Sequence, residues 1–331
     1  MSGSAMVTEE VIIDPERPLC DPHHHLWDHA TAPYMLPELL ADTGCGHNVV
    51  STVFVECGAM YRSSGPTALQ PLGETEFVNG VAAMCSSGSY GSMRGCAGIV
   101  GFADMLLGEQ VGAVLDQHKS LSPRFRGIRH CASYDAAPEI RTSHSNPPQH
   151  LLLRDEFQAA FVELAPRGLS FDAWLYHPQL RELTELARAF PNTTIVLNHF
   201  GGPLGIGPYA GKQDAIFRQW QVEVAALAAC PNVYAKLGGL LMAVNGVRGL
   251  KQPLNADEIV AATGHYYRYA ISCFGPERCM FESNFPVDKR NCSYASLWNA
   301  FKKIAASYSA TDQDWLCHDT AVACYRLQKS P

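Results

Sequence analysis

The sequence predicts a single α/β chain folded as a (β/α)8 TIM-type barrel, with long βα loops and two closing C-terminal helices. Three observations carry this. Eight short apolar, β-forming runs are separated almost throughout by segments with helical spacing, and such alternation argues for a parallel sheet. The chain has 331 residues with no evident linker or repeat, a length that one large barrel can occupy alone. Polar residues gather where the runs end: His23 and His25, Glu56, Arg129 and His130, His177, His199, Lys236 and Asn284. In a parallel barrel those ends converge on the face that carries active sites. A merely structural histidine would be expected to fall anywhere along its strand.

The elements follow in order. Residues 1–18 read as an N-terminal extension and residues 19–331 as the barrel. The first strand enters through Leu19 and Cys20 and runs into Asp21-Pro22-His23-His24-His25-Leu26-Trp27. Residues i and i+2 of an extended chain point to one side, so His23 and His25 should project together, with Asp21 behind them. Residues 49–56 are too apolar for a half-exposed strand and read as a buried parallel one. A helix follows over 74–87, a strand over 96–102, and a helix over 108–119 with Val111, Val114 and Leu115 on one side. The fourth strand spans 125–130. The polar stretch 131–150 after it has the length of a lid or substrate loop.

Residues 154–166 read as helix, and 169–175 as the strand leading to Tyr176 and His177. Pro178 suits the first turn of the next helix, where its missing N–H costs nothing. Strands at 193–199, 233–237 and 279–286 alternate with helices at 214–229 and 256–274. Helices over 294–307 and 312–327 close the chain.

The composition excludes several classes. Net charge is −7, with lysine and arginine scattered, so no nucleic-acid surface is expected. No apolar run approaches the roughly 18 residues that a membrane span needs. The first ten residues lack a basic region followed by an apolar core. The twelve cysteines form no C-x-x-C pair and fall singly in apolar runs, as reduced core residues of a cytoplasmic protein do. A small-molecule substrate is expected, and a homo-oligomer stays open.

At this point the motifs show a family likeness. Asp21-Pro22-His23-His24-His25-Leu26-Trp27 resembles the D-x-H-x-H-x-W opening of the amidohydrolase superfamily. Leu197 to Pro203 is similar to its sixth-strand histidine motif, and Met280 to Val287 to its eighth-strand motif. The likeness covers residues 19–291. It is nearest the amidohydrolase-related lactonases, which include 2-pyrone-4,6-dicarboxylate and sugar-lactone hydrolases, with aromatic-acid decarboxylases as a neighbouring branch.

The resemblance implies that His23 and His25 are the first-strand pair, His177 the fifth-strand histidine and His199 the sixth. Two departures stand out. The fourth strand ends in Arg129-His130, with no lysine to bridge two metals. The family's eighth-strand aspartate is Asn284, and an amide cannot be a general base. Glu282 or Asp288 would have to supply the missing negative charge.

The expected chemistry is hydrolysis of a lactone of a small carboxylated or aromatic-derived acid, with water attacking a polarised carbonyl. The catalytic candidates are His23, His25, His177, His199, Asn284 and Glu56. His23, His25 and His177 could hold one divalent metal such as zinc, and action without metal stands equally. Arg129, Arg126, Tyr61 and Arg62 would suit a substrate carboxylate, and Trp174 and Tyr176 a planar ring. A zinc-dependent decarboxylase, an amidase or a non-catalytic binding barrel are the alternatives. Lys236 has a surface position as its simplest explanation.

Overall fold

In the computed structural model of this chain the described residues are 10–141, 143–247 and 249–328. Eight parallel strands pair in sequence order: β1 Leu19–His24, β2 Val49–Val55, β3 Arg94–Gly101, β4 Phe125–Ile128, β5 Ser170–Ala173, β6 Ile195–Leu197, β7 Val233–Leu237 and β8 Cys279–Phe281. The ring closes just beyond β8. His24 bridges to Phe285 in parallel, the His25 N–H donates to the Phe285 carbonyl at 2.8 Å, and the Asn284 N–H to that of His23 at 3.0 Å. The result is the (β/α)8 barrel.

Helices α1 Leu36–Thr43, α2 Leu72–Ser86, α3 Val111–Leu121, α4 Asp155–Phe161, α5 Leu180–Ala189, α6 Gln213–Ala228, α7 Ala256–Phe274 and α8 Tyr294–Ala305 surround the strands. None is long and apolar enough to cross a membrane. Alternation along each strand divides the core in two. Outward residues such as Phe54, Ile99, Phe171 and Phe281 meet the helices. Inward residues Cys20, Val53, Val55, Val100, Val196 and Met280 fill the barrel axis. All twelve cysteines are free thiols and nine are buried.

The chain's end differs from the single helix expected over 312–327. It is α9 Ala310–Asp314, a π turn over Trp315–Asp319, and α10 Thr320–Cys324. A π turn shifts the phase of the helix. Ala321, Cys324, Tyr325 and Leu327 thereby join the inner core and plug the foot of the barrel. Of the N-terminal extension, residues 1–9 lie outside the described residues. The remainder is strapped across α7 and α8: Glu10 accepts from the Ala256 N–H at 2.9 Å, and Asn299 from the Ile13 N–H at 2.9 Å.

Candidate active site

The first strand does not keep the simple alternation expected of it. Its pairing with β2 slips between Asp21 and His24, at Pro22, which has no N–H to give the ladder. Asp21 therefore points outward, accepting from the Ser283 N–H at 2.9 Å and the Tyr294 hydroxyl at 3.0 Å. His24 also faces out, its Nε2 2.8 Å from Thr52 Oγ1. His23 turns into the barrel. His25 Nδ1 donates to the Val55 carbonyl at 2.7 Å, which leaves Nε2 with its lone pair.

The centre of the site is Glu282. It follows inward-facing Met280 by two residues and so points into the barrel as well. Its Oε1 accepts from His199 Nδ1 at 2.6 Å, and its Oε2 lies 2.7 Å from His23 Nδ1 without making an aligned hydrogen bond. The His23 and His199 rings are 4.4 Å apart. This crowding needs the two glycines that end β7. A Cβ on Gly238 would sit 2.5 Å from Glu282 Cγ, and one on Gly239, at φ +73°, 2.5 Å from His199 Nδ1.

Two cations flank the group. Lys236 Nζ lies 2.7 Å from Asp172 Oδ2 and 3.5 Å from His23 Nδ1. Asp172 also accepts from the Tyr325 hydroxyl at 2.8 Å, so the residue that plugs the foot reaches the polar centre. Lys236 is thus fully buried inside the barrel, not at the surface. Arg129 Nη1 lies 3.4 Å from His23 Nε2, and its Nε donates to Glu56 Oε1 at 2.7 Å.

Electrostatics follow from this burial. Desolvation pushes the Glu282 carboxyl up to about 8 despite Lys236. It also holds His23, His25 and His199 well below the usual imidazole range, helped by the neighbouring cations. These imidazoles are neutral near pH 7. Glu56 behaves oppositely. Burial alone would raise it, but Arg129 and His144 together outweigh burial and hold it at about 2.

His144 was not singled out by sequence reasoning. It comes from the polar stretch 131–150, and its Nε2 lies 3.0 Å from Glu56 Oε2 with the side chain 35% exposed. The only signal was a histidine within a long polar connection. The Tyr61 hydroxyl is enclosed with no hydrogen-bond partner among the described residues, and burial beside Glu74 and Glu56 raises its pKa. Trp174 packs edge-on to His199 with ring centres 4.9 Å apart.

The other candidates sit elsewhere. β5 stops at Ala173, and the following chain carries His177 into the loop layer. There its Nδ1 accepts from the Leu204 N–H at 3.2 Å and its ring meets Tyr209. Tyr176 belongs to the same layer, donating to the Arg141 carbonyl within a cluster that includes Ile140, Leu204 and Ile206. Arg62 pairs with Glu76 on the outer side of α2. Arg126 stands at the start of β4, not its end, and bonds the Pro123 carbonyl at 2.6 Å. It is at the foot of the barrel, the wrong end for the site. Asn284, at φ 56°, keeps its amide 3.4 Å from Asp288 Oδ1. Burial, with the charge of Glu282, pushes the Asp288 carboxyl well up.

The metal triad His23, His25 and His177 does not assemble. His23, His199 and Glu282 do, with ligand atoms all within 4.8 Å of one another. Two imidazoles and a carboxylate are a donor set of catalytic zinc. The unbonded Oε2 of Glu282 is the oxygen such an ion would engage, so the residues fit a divalent cation.

Comparison with known proteins agrees with this architecture. A relative in Sinorhizobium fredii, the uncharacterised protein y4mH, is 34% identical over 93% of this chain and 98% of its own length. An L-fucono-1,5-lactonase of Burkholderia multivorans is 24% identical over 93% of this chain and 95% of its own. The crystal structure of a Burkholderia multivorans amidohydrolase with bound zinc superposes with a TM-score of 0.73 at 21% identity, covering 94% of this chain and 99% of that one. The amidohydrolase family profile matches residues 20–327. With that match spanning the whole barrel, the chain belongs to the amidohydrolase family and is a hydrolytic enzyme.

Proposed function

We propose that this enzyme opens a lactone of a small, polar organic acid by attack of water on the ring carbonyl. The observation that carries the reading is the carboxyl of Glu282 shared between His23 and His199 at the C-terminal mouth of the barrel, with Lys236 and Arg129 on either side. A lactonase-named relative matched over 95% of its own length supports the reaction class. A divalent cation held by His23, His199 and Glu282 would polarise the carbonyl and make bound water acidic.

The chain's own residues have the remaining tasks. The arrangement supports His144 as the proton acceptor for the attacking water. Its Nε2 lies 3.0 Å from Glu56 Oε2; that carboxylate orients the ring and raises its basicity, and Nδ1 is the nitrogen that would take the proton. Arg129 is committed to Glu56 and His23. It is therefore suited to stabilising developing negative charge and less to clamping a substrate carboxylate bidentately. Trp174 beside His199, and Trp27 stacked on His25 at 5.9 Å, offer apolar faces for a flat or CH-rich ring. Twelve free thiols suit a reducing compartment, and we place the enzyme in the cytoplasm on that ground.

The test is a panel of sugar-acid lactones and pyrone carboxylates assayed by proton release, on tag-free protein of measured metal content. Expected is turnover of at least one lactone, lost in Glu282→Gln and His199→Asn. Release of carbon dioxide or ammonia from corresponding acids or amides, with no lactone opened, would refute the lactonase reading.

A further inference from the structure

At the opposite end of the barrel, the starts of β4 and β5 meet the last turn of the described chain around a cavity of about 350 Å³. Its walls carry four basic side chains, Lys119, Arg126, Arg167 and Arg326. Arg167 is neutralised by Asp116 and Glu163. The other three bond only carbonyl oxygens: Lys119 that of Arg167, Arg126 those of Pro123 and Phe125, and Arg326 those of Cys324, Arg126 and Gly168. No carboxylate among the described residues is in ion-pair contact with them, and Lys119 feels Asp116, three residues away on the same helix, only at longer range. The Nε of Arg126 is enclosed with no partner. Burial, with Arg326 and Arg124 nearby, lowers the pKa of Arg126, as expected of crowded like charges.

Lys119 and Arg326 are exposed and Arg126 is half-buried, so solvent screens part of this repulsion and a bound anion would relieve the rest. The chain's net charge is −7, so three cations with no carboxylate in contact around one cavity are a local arrangement and not a consequence of composition.

We propose that this cavity binds a compact oxyanion of the phosphate class, held by Lys119, Arg126 and Arg326. Guanidinium groups present planar forks that match phosphate oxygens, and lysine adds a point charge. A dianion balances more of the cationic charge than a single carboxylate does. The site is separate from the candidate active site, which opens at the other end of the barrel.

The test is titration calorimetry of the full chain with inorganic phosphate at fixed ionic strength, with acetate as the carboxylate probe. Expected is one saturable phosphate site, with acetate about tenfold weaker or more. Lys119→Glu and Arg126→Gln should each weaken phosphate by about tenfold or more, and Lys119→Glu should leave lactone turnover unchanged. If Arg126→Gln does not fold, Arg326→Gln takes its place. Absence of saturable binding overturns the proposal, as does phosphate affinity unchanged in these variants. Acetate binding as tightly as phosphate overturns the assignment of ligand class.

Discussion

Glu56→Gln tests the buried charge network most directly, because its cost is obtained by two routes. The carboxyl is fully buried and is held at about 2, against an ordinary value of 4.5, by Arg129 and His144. A depressed carboxylate stabilises the fold above its unfolded pKa, and that stability is lost as pH falls through the folded pKa. That depression corresponds to about 3 kcal/mol at pH 7, falling by roughly half at pH 3. The second route is structural. Removing one partner of a buried ion pair costs about 3–5 kcal/mol, because Arg129 stays buried without its counter-charge.

Denaturant unfolding of wild type and Glu56→Gln at pH 7 and pH 3 reads the difference. Expected is destabilisation of about 3 kcal/mol at pH 7, shrinking by roughly half at pH 3. A loss below about 1 kcal/mol at pH 7, the range of exposed pairs, would refute the reasoning. So would a loss that does not change with pH.

The remaining predictions concern the same interior. Lys236→Met should destabilise by about 3–5 kcal/mol by stranding Asp172, and adding Asp172→Asn should restore part of that loss, both read by denaturant unfolding. His144→Ala should lower kcat by about 10²–10³ with little change in KM, measured by steady-state kinetics on the hydrolysed lactone. Tyr325→Phe removes two hydroxyl contacts to Asp172 and should cost about 1–3 kcal/mol, with activity retained if the hydroxyl only supports the network. Chelation should abolish turnover and zinc should restore it, while Glu282→Gln should lower bound metal, as elemental analysis would show.

Several residues mark the limits of reading the site from the chain. Glu282 was visible as the neighbour of Asn284 in the eighth-strand motif, and Glu56 and Arg129 as polar ends of apolar runs. His177 and Arg126 carried the same kind of signal and lie elsewhere. A residue's place near a β-run does not say whether the strand has already ended, as at Ala173, or has just begun, as at Phe125.

The eight strands were legible because parallel strands covered on both faces must be continuously apolar, and their polar ends therefore stand out as interruptions. Helix positions followed from the 3.6-residue spacing of apolar side chains. Tertiary structure decided three things that no local pattern contains. The slip at Pro22 sends Asp21 outward while His23 turns in. Phasing by the π turn brings Tyr325 into the barrel foot, where it meets Asp172 beneath Lys236. The glycine pair 238–239 lets Glu282 and His199 come close enough to share a proton. Each of these depends on contacts between residues tens to hundreds of positions apart, which alternation and helical period along one segment cannot encode.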